Sequence, residues 1–376
     1  GLQAAYVSLA KVDEYLAIVN GLPEISISRA EQDSLTYNTA FMKFSEGDYP
    51  LANTTFNQYL EKFENGIFKI EAVYYNAISC VKVGDTTNAV LMYTELIGVS
   101  NAEYQQSALS FLARKYYAED DYANSNIYYQ TLDKVAANNS LKREAVIRLM
   151  YGNENLNPEL AYIYAQQVVN LDKTDDWLMS KAKIIIARHE FSAGNYAKSK
   201  TTFGKVVELS DYDEGAEAKY YLAYLTYLDD SLALAEKMIF ELAESYTSDY
   251  FIAKAFILLA DIYVVQENDF QAKATLESII ENHNGKELVN LARKNWELIL
   301  ERETLSIAIK DQQLFFVRHQ SYIEISEEEI DYDLVEFLIE KVIDEDYKVL
   351  APDTLIAPKT DGLEIINEYI EKDEIE

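Results

Sequence analysis

One sequence pattern occurs seven times along this chain and constrains its fold more than any other feature. A small residue follows a short polar turn and opens an apolar stretch, and the next such residue comes 36 to 38 positions later. Chance does not maintain one period over six successive intervals, so the chain is predicted to repeat one structural unit. The small residues are Ala52, Ala89, Ser125, Ala161, Ser199, Ala235 and Ala272.

Two further positions keep step with these small residues. Twelve residues earlier stand Ala40, Ala77, Ala113, Leu149, Ala187, Ala223 and Ala260, and four residues later stand Phe56, Tyr93, Tyr129, Ala165, Phe203, Ile239 and Leu276. Two antiparallel helices approach closely only where small side chains face each other, and a larger side chain then fills the space toward the next pair. One pair cannot bury its own apolar stripe, so the pairs are predicted to stack.

Composition supports helices and excludes several classes of function. The 376 residues include 12 glycines and 5 prolines, too few for the many tight turns of a β-sandwich or barrel. The 64 acidic and 33 basic residues give a net charge of −31, which disfavours a nucleic-acid partner. The sequence contains no run of about 18 apolar residues, so no membrane span is predicted. Cys80 is the single cysteine, which excludes an internal disulfide.

The pattern resembles the tetratricopeptide repeat (TPR), whose period is 34 residues. The resemblance covers roughly residues 34 to 285 and includes the small facing residues and turns such as Gly47-Asp48-Tyr49. The repeats here are two to four residues longer, and the usual first tryptophan is not kept. The resemblance implies an all-α fold, a right-handed α-α superhelix of the TPR-like solenoid type.

The ends are interpreted as departures from the repeat. Residues 1–32 read as an incomplete N-terminal repeat, 33–286 as seven TPR-like helix pairs, 287–310 as a C-terminal capping helix and 311–376 as an acidic, mostly extended tail. The capping helix is predicted to have an apolar stripe of Leu288, Leu291, Trp296, Ile299 and Leu300. The chain is expected to be part of a longer array because its first helix starts abruptly, and a mature N-terminus left by signal cleavage is the alternative.

The tail differs in composition from the repeats. Its last 55 residues carry 19 acidic and 4 basic side chains together with short apolar clusters. Such a segment is ordered when it is held by another surface. We therefore expect it to dock on its own solenoid or on another chain.

The resemblance also implies a binding surface, because the first helix of each pair lines the concave face of TPR arrays. The residues that the register places there are rich in Tyr, Phe and Arg, the types that dominate binding hot spots. The alternative is that many of them pack between neighbouring helices. They are Tyr37, Phe41, Phe44, Tyr74, Ile78, Arg114, Tyr117, Met150, Arg188, Phe191, Tyr220, Tyr224, Tyr227 and Asp261. The terminal-carboxylate clamp of chaperone-binding relatives is not matched, since Tyr37, Phe41 and Ile78 stand at its positions.

Catalytic, cofactor-binding and metal-binding constellations are not found in the sequence. His189, His283 and His319 lie far apart, and no glycine-rich phosphate loop or nucleophile elbow is present. Cys80 lies on a predicted first helix beside apolar residues, which is typical of a small buried side chain. A non-enzymatic protein without a cofactor is therefore expected.

These features predict a scaffold that binds protein segments through the concave face, with the acidic tail as a second docking element. The 30 tyrosines and the variant period are similar to those of long TPR scaffold proteins of bacterial cell envelopes. The resemblance implies an assembly or secretion complex in the Gram-negative periplasm, attached to a membrane through partners or an unseen anchor, with the cytoplasm as the alternative. Two other functions stay open: a self-regulated adaptor whose tail occupies its own groove, and the accessory region of an enzyme with its catalytic domain upstream.

Overall fold

The computed structural model describes residues 1–22, 27–310, 315–318 and 321–324. The chain divides into two compact units, Gly1–Thr174 and Asp175–Glu376. The described residues of the first unit form α1 (Leu2–Ser8), α2 (Val12–Asn20), α3 (Arg29–Ser45), α4 (Tyr49–Lys62), α5 (Lys69–Val83), α6 (Thr86–Leu96), α7 (Ala102–Ala118), α8 (Tyr122–Val135), α9 (Asn139–Asn153) and α10 (Pro158–Val169). Those of the second unit form α11 (Asp176–Ser192), α12 (Tyr196–Val207), α13 (Asp213–Leu228), α14 (Leu232–Ser245), α15 (Asp249–Val265), α16 (Asp269–Asn282), α17 (Lys286–Lys310), β1 (Phe315–Arg318) and β2 (Ser321–Glu324).

Consecutive helices pack as pairs, and each pair packs on the next one within its unit. In the first unit α3 pairs with α4, α5 with α6, α7 with α8 and α9 with α10; in the second unit α11 pairs with α12, α13 with α14 and α15 with α16. The second helix of a pair also packs on the first helix of the following pair, as α4 does on α5 and α14 on α15. This is the all-α repeat array that the sequence predicts.

The burial of the small residues confirms the predicted register. All seven small residues that open the second helices, and all seven interior residues of the first helices, are no more than 1% exposed. Ala77 and Ala89 share one core cluster of the first unit, and Ala223 and Ala235 share one of the second. Small side chains thus lie where the two helices of a pair meet, and packing at native density leaves no room for larger ones there.

The turn inside most pairs has one geometry. Gly47, Gly84 and Gly194 adopt positive φ, as do Asp120, Asp230 and Glu267 at the corresponding places. The backbone N–H of the next residue donates to the carbonyl five residues earlier, as Asp85 does to Cys80 at 2.8 Å. This Schellman arrangement ends the first helix. Where the residue after the one with positive φ is an aspartate, its side chain caps the second helix. The Asp85 side chain, for example, accepts from the Asn88 backbone N–H.

The N-terminal helices repeat this turn. Ala10 has a φ of 58°, and the backbone N–H of Lys11 donates to the carbonyl of Tyr6 at 2.9 Å. Val12, Leu16 and Val19 of α2 are buried. The α1–α2 segment therefore has the same turn geometry as the other pairs.

The helix α17 covers the last pair of the second unit. Leu288, Ala292 and Ile299 join a cluster with Ile257 and Leu276 of the preceding pair. The predicted stripe is wrong at Leu291 and Leu300, which are exposed, because α17 turns a different face to α15 and α16.

A short hairpin follows α17. The strands β1 and β2 pair antiparallel, with Phe315 opposite Glu324 and Phe316 opposite Ile323. Neither β1 nor a hairpin was expected from the sequence. The remaining residues of the expected tail, including all of 325–376, lie outside the described residues.

Candidate protein-interaction surface

The first-helix residues proposed as a binding surface divide into two sets by exposure. Four of the fourteen are buried, against the expectation that they face solvent: Tyr37, Met150, Tyr220 and Tyr227. The Tyr37 ring, 7% exposed, is stacked on Phe68 at 4.5 Å between ring centroids and lies edge-on to Tyr59 at 5.8 Å. The next helix pair covers this ring, which is the packing alternative that the sequence left open.

Tyr220 is covered in the same way in the second unit. Its ring lies 6.4 Å from that of Phe251, and the Lys254 amine lies 4.9 Å from its centroid. Burial raises the pKa of the Tyr220 hydroxyl. The same burial lowers the pKa of the Lys254 ammonium, since a buried charge loses its hydration. These groups are parts of the packing between α13 and α15.

The other ten residues keep part of their surface open to solvent. Among them Arg114 is exposed, and the rest are half-buried. The full set is Phe41, Phe44, Tyr74, Ile78, Arg114, Tyr117, Arg188, Phe191, Tyr224 and Asp261.

In the first unit the half-buried rings support one another. The rings of Phe41 and Phe44 each lie 4.9 Å from that of Tyr75, which stands on the next first helix. On α7 the Tyr117 ring packs edge-on to Tyr122, and the Arg148 guanidinium lies 4.4 Å from its centroid. Rings held on several sides lose little conformational entropy when a ligand contacts them.

The second unit has a similar aromatic cluster. The Phe191 ring on α11 lies 4.9 Å from Tyr221 and 6.0 Å from Tyr224, both on α13. Tyr221 in turn stacks on the buried Phe203 at 4.8 Å. Phe191 and Tyr224 therefore present partly exposed rings on a rigid base.

Both arginines of the predicted surface are paired with a glutamate of the next first helix. Arg114 donates to Glu144 through Nε at 2.6 Å and Nη2 at 2.5 Å, and Arg188 makes the same two-pronged contact with Glu217. Hydrogen bonding from Arg114 lowers the pKa of the Glu144 carboxyl. These pairs fix the orientation of each guanidinium group.

Asp261 is the acidic member of the predicted surface. Burial raises the pKa of its carboxyl to about 7, and the amide of Asn295 on α17 donates to it at 3.4 Å. A carboxyl in this state changes its charge near neutral pH.

Sequence reasoning missed several residues of this surface. Glu144 and Glu217 follow their arginines by 30 and 29 positions, a spacing that could have identified them once the period was known. No sequence pattern identified Lys254, because the contact of its amine with the Tyr220 ring depends on the angle between α13 and α15.

In the part of the chain that the structure describes, no group of three His, Cys, Asp or Glu side chains is placed to hold a metal ion. The buried Cys80 accepts a hydrogen bond from Asn53 at 2.9 Å, and burial raises the pKa of its thiol. A thiol of this kind is a poor nucleophile.

Comparison with known proteins gives structural similarity only. No family model and none of the curated proteins match the sequence. Solved structures that resemble the chain include a tetratricopeptide repeat protein from Parabacteroides merdae, with 14% identity over 73% of this chain and 100% of that one and a TM-score of 0.34. Another is the C-terminal part of a TPR repeat-containing protein from Cytophaga hutchinsonii, with 15% identity over 68% and 98% and a TM-score of 0.42.

The structures that the chain resembles are thus TPR proteins, and the chain itself is a helical repeat array. At these TM-scores the repeat architecture is established by the packed helix pairs and their buried small residues rather than by superposition. Among the described helices, none combines the length and the apolar character that crossing a bilayer requires.

Proposed function

We propose that this chain is a non-enzymatic scaffold that binds segments of partner proteins on the first-helix faces of its two units. The observation that carries this proposal is the set of partly exposed aromatic and arginine side chains on successive first helices. Their rings and guanidinium groups are fixed by contacts within the chain, as those of Phe41, Tyr224 and Arg188 are. Rigid aromatic and arginine side chains are the groups that contribute most to protein interfaces.

Site-specific photo-crosslinking tests the proposal. A benzophenone amino acid is placed at Tyr74 in the first unit and at Tyr224 in the second, and the full chain is illuminated in its native cell. Matched control positions are Ile127 on α8 and Phe270 on α16, which are 59% and 79% exposed on second helices. The scaffold predicts partner adducts from the first-helix positions and not from the controls. Adducts from the controls alone, or from none of the four, would contradict it.

The acidic tail is proposed as a second docking element. The 19 acidic and 4 basic side chains of its last 55 residues give it a charge suited to a basic partner surface. Truncation after Lys310, where α17 ends, separates this role from self-inhibition. Weaker partner binding supports docking by the tail, whereas tighter binding means that the tail blocks its own groove.

The periplasm of a Gram-negative bacterium is the proposed compartment, within an envelope assembly or secretion complex. The tyrosine content and the single buried cysteine are compatible with that oxidising environment. Fractionation of cells that express the complete reading frame tests it, and recovery of the protein with a cytoplasmic marker enzyme would show that the compartment is wrong.

A further inference from the structure

One carboxyl on the first-helix face of the second unit has no positive charge beside it. The two glutamates of α13 each receive a cation from α11, since Lys181 pairs with Glu214 and Arg188 with Glu217. Asp261 on α15 forms no ion pair with a described residue. Burial is the one cause of its raised pKa, so no lysine or arginine of the described helices lies near enough to lower that pKa.

One oxygen of the Asp261 carboxyl remains open to solvent. Its Oδ1 accepts a hydrogen bond from the Asn295 amide of α17 at 3.4 Å. Its Oδ2 has no hydrogen-bond donor among the described residues, yet it is not one of the atoms that burial shuts off from solvent. The residue as a whole is half-buried. A donor that approaches the first-helix face from outside can therefore reach Oδ2.

The lysine of the same helix does not neutralise this carboxyl. Lys254 lies two turns earlier on α15, and its amine is 4.9 Å from the centroid of the Tyr220 ring. The negative charges that act on this amine are those of Glu217 and Glu287, and Asp261 is not among them. The chain thus gives the Asp261 carboxyl a hydrogen bond but no counter-charge.

Tyrosine rings stand beside the carboxyl on α13. Burial raises the pKa of the Tyr220 hydroxyl, and the charge of Asp261 adds to that shift, so the two groups are close. The Tyr220 ring stacks on Tyr224 with 6.3 Å between centroids. Tyr224 is half-buried, so part of its ring faces solvent. The faces of such rings attract cations, and this face of the second unit therefore offers both a carboxylate and a ring to one.

We propose that Asp261 and Tyr224 bind the guanidinium group of an arginine carried by a partner polypeptide. The guanidinium donates a hydrogen bond to Oδ2 of Asp261 and lies against the Tyr224 ring. The net charge of −31 attracts a basic segment toward the chain before contact is made. This inference rests on the scaffold function proposed above and names one partner group for the second unit.

A bound guanidinium also removes a cost to the fold. The charged form of Asp261 loses hydration through burial and gains no counter-charge from the chain. Natural proteins carry such costs mainly at functional sites. The groups that face this carboxyl are the Tyr220 hydroxyl from α13 and the Asn295 amide from α17, and neither carries a positive charge that competes with the ligand.

Two blocked tripeptides test the inference on the full chain by saturation-transfer NMR at pH 8. They have the form N-acetyl-Gly-X-Gly-amide, where X is arginine or citrulline, which has the shape of arginine but a neutral urea group. The arginine peptide should bind at least roughly threefold more tightly. Asp261→Asn should abolish that preference. Asp249→Asn, which removes one negative charge from the start of the same helix, should retain it.

The pH dependence of binding gives a second result. The guanidinium binds the ionised carboxyl, and the pKa of Asp261 is about 7. At pH 5 Asp261 is protonated in the folded chain, whereas carboxyls with pKa values near about 4 remain charged. The arginine peptide should therefore bind at least roughly tenfold more weakly at pH 5 than at pH 8, and the citrulline peptide should change little.

The contribution of the ring is tested at Tyr224. Tyr224→Phe keeps the ring face and should bind the arginine peptide as the unsubstituted chain does. Tyr224→Leu should bind it at least roughly twofold more weakly. Equal binding of the two peptides at pH 8, loss of the preference in both aspartate variants, an arginine preference that persists at pH 5, or unchanged binding in Tyr224→Leu would overturn the inference.

This site and the scaffold function fail separately. If partner adducts form at Tyr74 and Tyr224 and partner affinity is unchanged in Asp261→Asn, the arginine site is wrong and the scaffold stands. If the arginine peptide binds with the expected preferences but no position yields a partner adduct, the site stands and the scaffold function is wrong.

Discussion

Gly215, in the first turn of α13, shows how a single residue limits this packing. A Cβ atom added there would lie 1.8 Å from the backbone carbonyl oxygen of Ser210 and 2.7 Å from the Tyr246 ring. Backbone cannot move aside as a flexible side chain does. We expect Gly215→Ala to lower the free energy of unfolding by about 1–3 kcal/mol, measured by urea denaturation.

Gly204 is the matched control, because it lies inside α12 of the same unit with nothing within 4 Å of an added Cβ. Alanine stabilises a helix interior relative to glycine, so Gly204→Ala should raise the free energy of unfolding by about 0.5–1 kcal/mol. Equal effects of the two substitutions would mean that the close approach at Gly215 is not real.

The carboxyl of Asp261 gives a pH-dependent prediction. Its pKa is raised from 3.8 to about 7 by burial. Below a pH of 3.8 the carboxyl is protonated in both the folded and the unfolded chain, and it does not make stability depend on pH. Between the two values the unfolded chain loses the proton and the folded chain keeps it, so folded stability falls as pH rises and the cost is complete above about 7. Each pKa unit corresponds to about 1.4 kcal/mol.

Asp261→Asn should therefore raise the free energy of unfolding at pH 8 by more than about 1 kcal/mol and change it little at pH 4. Denaturation curves at both pH values measure the difference. Glu244→Gln, which replaces an exposed carboxyl by an amide at the end of α14, is the matched control. A stabilisation of Asp261→Asn that is the same at pH 4 and pH 8 would contradict the assigned shift.

The exposure of residues in the proposed binding surface was harder to predict than the burial of residues in the core. The period places Tyr37 and Phe41 on one face of α3, but exposure depends on how far the next pair reaches over that face. Phe68 covers Tyr37, whereas Phe41 keeps part of its surface. That coverage depends on the angles between helices and on side chains of the next repeat, about 30 positions away. The sequence of a single repeat therefore does not predict it.

At the scale of the helices the register can be tested directly. Ala223 on α13 is fully buried in a cluster with Ala235 on α14. A phenylalanine at position 223 has no space between the two helices, so Ala223→Phe should lower the free energy of unfolding by about 1–3 kcal/mol. Ala233→Phe, two residues before Ala235 and exposed, is the control and should have little effect. A variant at 223 that melts with the unsubstituted chain would show that this face is not the contact face.

The helix pairs themselves were predictable because their determinants are local. A glycine or aspartate with positive φ and a capping aspartate lie within four residues of one another, as Gly84 and Asp85 do, and the small residues recur at a fixed distance from them. The tail was expected to be mostly extended, but the pairing of β1 with β2 was not predicted, because four residues carry too little pattern to identify a partner strand. The exposed Leu291 was also missed, since the angle of α17 on α16 is set by packing rather than by the sequence of α17 alone.

For the whole chain, charge and cohesion act over different distances. The net charge of −31 makes acidic side chains repel one another even when they are far apart along the chain. The ion pairs that oppose this repulsion, such as Arg188 with Glu217, join neighbouring first helices only. The apolar clusters likewise join neighbouring pairs, so the forces that hold the array together act from one pair to the next. Stability in such an array is approximately a sum of terms for each pair and its neighbours.

Hydrogen exchange of matched variants tests this local cohesion. Ala77→Phe overpacks the α5–α6 pair of the first unit, where Ala77 is fully buried against Ala89. Because each pair draws its stability from its neighbours, we expect faster amide exchange from α4 to α7 and unchanged exchange from α13 to α16. Ala223→Phe should give the opposite distribution. Faster exchange spread evenly over all helices in both variants would mean that the chain opens as one cooperative body, and the sum of neighbour terms would then not describe it.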